Sequence, residues 1–454
     1  MVGVTEVSDA GDGRYVLDSS YRRPADGTTV IAGSPLRLFR VSKRGRAALV
    51  ALERGEPLPP GGQALLDRLL DAGAVHPRPR STSLCPADLT VVIPARDQLP
   101  QFRPAACRTI VIDDASASPL VVDGAEMLRL DANRGPGGAR NEGVALVDTP
   151  FVAFVDTDVD VAEADLVSLL GHFDDPKVAL VAPRVTGATG KSRLARYEAV
   201  RAPLDLGPEP GRIAPGSRVG FVPAAAIVVR IDALRGVGGF DESLRYGEDV
   251  DLVWRLAAAG WRCRYEPAVV ASHRTRSTLR GWVEQRMRYG TSAAPLSRRH
   301  PDALAPVRMS GWSAATWGAV AVGAPVAGAA IAMTTTLALV RKLRDLPPAE
   351  CIRLAGLGHL YAGRLLLSTL LRAWWPVSVV AAVVSRRVRR LLAAAAVGAA
   401  LADWRRERPD LDPASYVALR RLDDVAYGTG VWLGALHQRT AAPLLPSLSN
   451  WPPR

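Results

Sequence analysis

The chain has 454 residues, of which 48% are apolar, 22% charged and 6% aromatic, a balance that excludes wholesale disorder, a collagen-like repeat and a disulfide scaffold. At roughly 100–200 residues per domain, this length implies two to four domains. Lys and Arg number 57 against 45 Asp and Glu, and the resulting +12 favours an acidic partner: nucleic acid, anionic lipid or a phosphorylated substrate.

Cys85, Cys107, Cys263 and Cys351 form no CxxC pair, which argues against a zinc finger and points to a reduced, cytoplasm-facing compartment. The N-terminal stretch carries Glu6, Asp9, Asp12 and Asp18 without a continuous apolar run, so it does not read as a secretory signal.

Residues 1–80 read as a small module. Tyr15–Leu17, Thr29–Ile31 and Leu36–Val41 have strand character. Apolar positions Ala47, Leu49, Val50 and Leu52, then Leu65, Leu66, Leu69 and Leu70, recur at helical spacing on either side of the Pro/Gly stretch Glu56–Gly62. Strands, two helices and Ala74-Val75 resemble the winged-helix-like modules of the PqqD type, which implies a hold on a peptide precursor. A basic winged helix used for structure or nucleic-acid contact is the other reading of the same pattern. His76–Pro86 reads as a linker, with the boundary segment set at 81–88.

From 89 to 301 the chain alternates strands and helices. Leu89–Pro94, Thr109–Ile112, Met127–Leu130 and Phe151–Val155 are apolar runs with helical stretches between them, the pattern of an α/β domain with a mostly parallel sheet covered on both faces. Ligands of such sheets bind beyond the carboxyl ends of the strands. There the sequence collects carboxylates: Asp113-Asp114 after the second run and Asp156-Thr157-Asp158 after the fourth.

Residues 302–454 read as a helical, membrane-associated region. Trp312 to Val340 contains no charge, longer than the roughly 20 apolar residues that span a bilayer. Leu365–Ser385 carries only Arg372, and Leu391–Leu401 is too short to span. Basic clusters follow both longer runs, so charge counting does not set a topology. Buried helices of a soluble domain are the alternative.

The carboxylates carry the chemistry. Asp156 and Asp158, two apart at a strand exit, can meet one hard cation such as Mg2+ or Mn2+ and so offset a nucleotide's diphosphate. Acidic strand ends also arise as helix caps, and Asp160 suits that role. Asn133 to Asn141, rich in glycine and containing Gly135 and Arg140, permits close approach of backbone to a ligand at a helix start. Glu248, Asp249 and Asp251 open an amphipathic helix, where dipole compensation would explain them equally well. A lone His273 is more often a surface or core residue than a ligand.

The order Val92-Ile93-Pro94-Ala95, Val111–Ser116, Asn133-Arg134-Gly135 with Ala139-Arg140-Asn141, Phe154–Asp158, Gly238–Glu242 and Gly247–Leu252 resembles the family 2 inverting glycosyltransferases of GT-A fold. The resemblance spans Leu89 to about Tyr289. It implies a donor site at Pro94, Asp113, Asp114, Asn133, Gly135, Arg140 and Asp156. It further implies a metal held by Asp158 and His273 with Asp156, and a general base at Asp249 with Glu248 as its competitor. Gly220-Phe221 and Trp254 fall on the acceptor side, although Trp254 also suits a core.

With the PqqD-like module in front and the apolar region behind, the arrangement is similar to the mycofactocin-system glycosyltransferases. That similarity implies transfer of glucose from UDP-glucose to a peptide-derived redox cofactor and its growing β-glucan. It also implies contact with other proteins of that pathway and with membrane lipid, and none with nucleic acid. Family 2 enzymes of surface polysaccharide or glycolipid synthesis share the same pattern. A dinucleotide-binding oxidoreductase is the alternative from another class, because Gly135-Pro136-Gly137 opens a helix and Asp156 lies about 20 residues on. Arg140 stands where that fingerprint needs its third glycine.

Overall fold

The computed structural model describes residues 14–24, 27–78, 82–103, 105–301 and 303–449. Glu6, Asp9 and Asp12, and Ser81 at the start of the expected linker, lie outside them. The chain divides into two compact units: 1–186 with 204–242 and 249–273, and 187–203 with 243–248 and 274–454.

In the first unit, β1 (Tyr15–Leu17), β2 (Thr29–Ala32), β3 (Arg37–Arg40), α1 (Lys43–Arg54), α2 (Gln63–Asp71) and β4 (Val75–Pro77) form the N-terminal module. Ser42 caps α1 by accepting from Gly45 N, and Gly55 ends it in the left-handed conformation. Leu49, Leu52, Leu66 and Leu69 meet Val30, Phe39 and Val75 in a separate apolar core. The expected linker starts too early: His76 and Pro77 belong to β4, paired antiparallel with β1, and His76 is buried.

The module docks onto the sheet through the buried Arg262 and the more exposed Arg218. Arg262 bonds Asp71 at 2.7 Å, Asp67 at 3.0 Å and Asp175 at 2.7 Å. Arg218 reaches Asp18 at 2.9 Å, and Ser217 Oγ donates to Ser34 O. Each arginine is shared among acceptors from both parts, which fixes their orientation as a single ion pair would not.

The sheet is built from β5 (Leu89–Ala95), β6 (Arg108–Asp113), β7 (Glu126–Arg129), β8 (Phe151–Val155), β9 (Val159–Asp160), β10 (Val178–Gly187), β11 (Gly211–Arg212), β12 (Ala226–Arg230) and β13 (Arg262–His273). Its order is β11-β13-β10-β12-β8-β5-β6-β7, with β9 on β13. Strands β8, β5, β6 and β7 are parallel neighbours, as their continuous apolar runs imply. Beyond β8 the pairing turns antiparallel, with β12 against both β8 and β10. The helices of this part are α3 (Gly135–Ala145), α4 (Glu163–Ser168), α6 (Ile231–Gly236) and α7 (Glu248–Ala258), while α5 (Arg193–Arg201) belongs to the second unit. Helix α3 lies so close on β5 that a Cβ at Gly143 would enter Val92, which explains a glycine in mid-helix.

The second unit consists of α5, α8 (Leu279–Thr291), α9 (Ala293–Arg299), α10 (Gly311–Ala321), α11 (Pro325–Lys342), α12 (Pro348–Leu371), α13 (Trp375–Val384), α14 (Arg386–Glu407) and α15 (Pro413–His437). Its centre is polar. Arg286 is buried, paired with Glu198 and, at 3.1 Å, with Asp423; Tyr197 donates to Asp423 at 3.0 Å and Trp282 to Glu198 at 2.8 Å. Arg286 is therefore a structural cation that holds α5, α8 and α15 together.

The expected membrane runs are interrupted. The charge-free stretch Trp312–Val340 breaks at Gly323 and Ala324 between α10 and α11, where Gly323 has a φ of +91° and Pro325 opens the next helix. Leu365–Ser385 breaks between α12 and α13. Among the described residues, α12 alone is long and apolar enough by length and composition to cross a membrane, with a mean hydropathy of 1.2.

Candidate active site

The carboxyl ends of β5, β6 and β8 carry the expected residues into one region of the first unit. Pro94 stands near the end of β5, opposite Ile112 in β6. Asp113 ends β6 fully buried: Oδ1 accepts from Ser116 N at 2.9 Å, and Oδ2 from Leu120 N at 3.2 Å and Arg129 Nη1 at 2.6 Å. These donors hold its carboxyl below the ordinary range even though burial alone would raise it.

Asp114 is buried beside it and gathers the glycine loop. It accepts from Asn133 Nδ2 at 2.5 Å, Arg134 N at 2.6 Å and Gly135 N at 2.9 Å. Gly135, with a φ of +79°, occupies a conformation that favours glycine and turns its amide toward this carboxylate. Asp114 thus compensates the N-terminus of α3, and Asn133 orients it.

Arg140, on α3, is buried and donates to Asp156 Oδ1 at 2.6 Å, with its guanidinium 5.3 Å from the Phe240 ring centre. Next to Arg140 on α3, Asn141 holds the Gly238–Glu242 segment by donating to Phe240 O at 2.9 Å and accepting from Phe240 N at 2.9 Å. Gly239 has a φ of +70°, and a Cβ there would stand 2.7 Å from Asn141 Oδ1. That motif is a brace for α3.

After Asp156 the chain turns into β9, whose pairing with β13 sets Val159 opposite His273. Asp158 Oδ2 consequently lies 3.4 Å from His273 Nε2. Asp156 N donates to Ala225 O at 2.9 Å, and the neighbouring Ala224 N donates to Asp249 Oδ2 at 3.3 Å. The same short segment before β12 therefore ties Asp249 to the strand exit that bears Asp156.

Burial raises the Asp156 carboxyl, Arg140 opposes that shift, and the charge of Asp158 adds to it. Asp249 is raised as well, first by burial, against hydrogen bonds from Val250 N and Ala224 N and the field of Arg140. Crowded carboxylates with raised proton affinities beside a histidine are a donor set that suits a hard divalent cation. Among the described residues no group of three or more His, Cys, Asp and Glu is close enough to cage an ion by itself. Asp158 and His273 with Asp156 nearby fit a cation that takes its remaining oxygens from a diphosphate.

Glu248 is buried at the start of α7. Trp254 is buried too, donating to Gly220 O at 2.7 Å, so it braces the Gly220 loop from the core and is not an acceptor-facing ring. Sequence reasoning missed Arg129, which meets Asp113 through the pairing of β6 with β7, and Ala224, which meets Asp249 only where α7 packs beside the segment before β12. A separate cavity of about 890 Å³ lies between the N-terminal module and the sheet, with buried His76 and His172 in its lining.

Residues 151–404 match the model of glycosyl transferase family group 2. Pre-mycofactocin glycosyltransferase of Mycobacterium tuberculosis is 40% identical over 457 residues, covering 95% of this chain and 97% of its own. Succinoglycan biosynthesis protein ExoU of Rhizobium meliloti is 29% identical, covering 50% of this chain and 75% of its own. Among solved structures, mannosyltransferase PcManGT of Pyrobaculum calidifontis in complex with GDP-Man and Mn2+ aligns at TM-score 0.41 and 17% identity, over 79% of this chain and 90% of that one. Family membership removes the oxidoreductase alternative, whose glycine fingerprint here follows the third sheet strand of its domain and serves Asp114. The chain belongs to glycosyl transferase family group 2, as a sugar-transferring enzyme homologous to pre-mycofactocin glycosyltransferase.

Proposed function

We propose that this enzyme inverts the anomeric centre as it moves glucose from UDP-glucose to a peptide-derived redox cofactor, the mycofactocin precursor, and its growing β-glucan. The observation that carries the proposal is the convergence of Asp156, Asp158, His273 and Asp249 at one edge of the sheet, in a chain that aligns with a pre-mycofactocin glycosyltransferase over nearly its whole length. Pro94, Asp113, Asp114, Asn133 and Gly135 shape the nucleotide side. The buried Asp113 and Asp114 do so by fixing the loops that follow β6 and precede α3. Arg140 positions Asp156 and tempers its charge.

Asp158 and His273, with Asp156, would hold Mn2+ or Mg2+, which stabilises the negative charge of a departing diphosphate when bound. Asp249 takes the proton of the acceptor hydroxyl. Its raised proton affinity suits a general base, and inversion needs such a carboxylate opposite the leaving group and no covalent enzyme intermediate. Glu248, next in the chain, is the competing carboxylate.

The cavity between the N-terminal module and the sheet supports the reading that this module holds the peptide-derived acceptor or another protein of the mycofactocin pathway. The apolar helix α12 and the basic segments around it support a place at the cytoplasmic face of the membrane, with lipid as a further partner. Incubation of the purified enzyme with UDP-glucose, Mn2+ and the mycofactocin precursor tests the proposal. A β-linked glucoside with stoichiometric release of UDP is expected, and turnover with a different nucleotide sugar alone would overturn the donor assignment.

A further inference from the structure

Exposed apolar side chains occur over much of the helical unit, on α11, α12 and α15 as well, and at two places they adjoin a run of arginines. In the turn from α10 to α11, every residue from Val320 to Ala327 is exposed and none is charged; Val322 and Val326 are 79% and 82% exposed. At the junction of α13 and α14, Val383 and Val384 are 74% and 83% exposed, and Val377, Val379 and Val380 on α13 also face solvent. Such clusters on a folded protein mark a surface that something covers.

Directly after Val384 the first turn of α14 brings Arg386, Arg387, Arg389 and Arg390, all exposed. Among the described residues, none of the four is ion-paired with a carboxylate. Arg389 Nη1 donates to Ala382 O at 3.2 Å, so its charge stays beside the valines of α13. Gly323 connects the two places: Arg387 Nη2 lies 2.7 Å from the point where a Cβ on Gly323 would stand. The apolar turn and the valine-rich junction are therefore neighbours, with an arginine rim between and beside them.

Of the four helices that meet there, the two most apolar, α10 and α13, are too short to cross a bilayer. Helices α10 and α13 have 11 and 10 residues, about 16 Å and 15 Å at 1.5 Å per residue, against a hydrocarbon core of about 30 Å. The charge selects the occupant. A second copy meeting this edge about a two-fold axis would oppose four arginines with four more, whereas an anionic bilayer surface offers phosphates to the rim and acyl chains to the valines.

We infer that the α10–α11 turn and the α13–α14 junction form one monotopic docking edge for anionic membranes, with Val322, Val326, Val383 and Val384 entering the headgroup boundary and Arg386, Arg387, Arg389 and Arg390 binding lipid phosphates. The inference deepens the membrane partner of the proposed function, and its test reads lipid binding without sugar transfer, so either can fail alone.

The test is co-sedimentation of the full chain with vesicles of phosphatidylcholine alone and of phosphatidylcholine with phosphatidylglycerol. Binding to the mixed vesicles, released by high salt, is expected. Each basic residue near an anionic surface changes partitioning by about fivefold, so Arg386→Gln with Arg389→Gln and Arg390→Gln should lower it about a hundredfold on mixed vesicles. Val322→Asp with Val384→Asp should lower binding independently of the arginine charges. Unchanged partitioning of the arginine variant would overturn the proposal. So would retention that resists high salt and alkaline carbonate, the mark of a spanning helix. A lipid-free dimer that Val322→Asp dissociates would overturn it as well, making the edge a self-interface.

Discussion

Asp114 offers the sharpest link between loop architecture and nucleotide affinity. Replacing it with Ala removes the acceptor of three donors, at 2.5, 2.6 and 2.9 Å, two of them backbone amides at the start of α3. Hydrogen bonds to a charged group contribute about 1.5–3 kcal/mol each, and these three are not additive because they share one carboxylate. A loss of about 4 kcal/mol is therefore expected for Asp114→Ala, near the upper end for single substitutions. Asp114→Asn should cost about half as much, since its oxygen still accepts from the backbone while its amide opposes the Asn133 amide. Urea unfolding reports the stability, amide exchange at Arg134 and Gly135 reports the loop, and calorimetric titration with UDP and Mn2+ reports affinity. All three should deteriorate together. Weakened UDP binding with unchanged unfolding and unchanged amide protection would refute this reasoning and make Asp114 a direct nucleotide contact.

Asp158→Ala should weaken Mn2+-dependent UDP binding by at least about tenfold while leaving metal-free binding alone; an unchanged metal dependence would remove Asp158 from the ligand set. Burial would raise the Asp18 carboxyl, but hydrogen bonds from His76 and Ser20 and the charge of Arg218 hold it far below the ordinary range. A depressed folded value gives stability that is present above the unfolded value of about 3.9 and lost as pH falls below it. Asp18→Asn should therefore flatten the acid limb of stability below roughly pH 4, and parallel curves for both proteins would exclude Asp18 as its source. In the helical unit, a Cβ on Gly430 would collide with Met287 O, whereas nothing lies near Gly398 in α14. Thermal unfolding should show Gly430→Val destabilised by about 3 kcal/mol and Gly398→Ala stabilised by about 1 kcal/mol; equal effects would deny the close α8–α15 packing.

The parallel half of the sheet was legible because its strands are buried on both faces. Leu89–Pro94, apolar but for Thr90, and the uninterrupted apolar Phe151–Val155 coincide with β5 and β8 to within a residue. The antiparallel half was not, since β10 and β12 acquire their place from pairing across long intervals that no local period encodes. The two acidic pairs were legible as strand ends, yet their roles diverge in a way that spacing does not reveal. Asp113 and Asp114 are enclosed by protein donors, whereas Asp156 and Asp158 crowd each other at the site. Hydropathy overestimated the continuity of the apolar C-terminal runs, because composition does not register the turn at Gly323 or the break before Trp375. His76 looked like a linker residue in a proline-rich stretch; its burial depends on Asp18, distant in sequence.

Asp249 is proposed as the base at a metal-dependent nucleotide-sugar site. Its most direct test is a single experiment on the wild type and Asp249→Asn, measuring Mn2+-dependent UDP affinity and glucosyl transfer from UDP-glucose to the mycofactocin precursor side by side. Asp249→Asn is expected to bind UDP within about twofold of the wild type and to lose transfer by a factor on the order of 10² to 10⁴. Transfer that survives in Asp249→Asn, or UDP binding that disappears with it, would contradict that assignment.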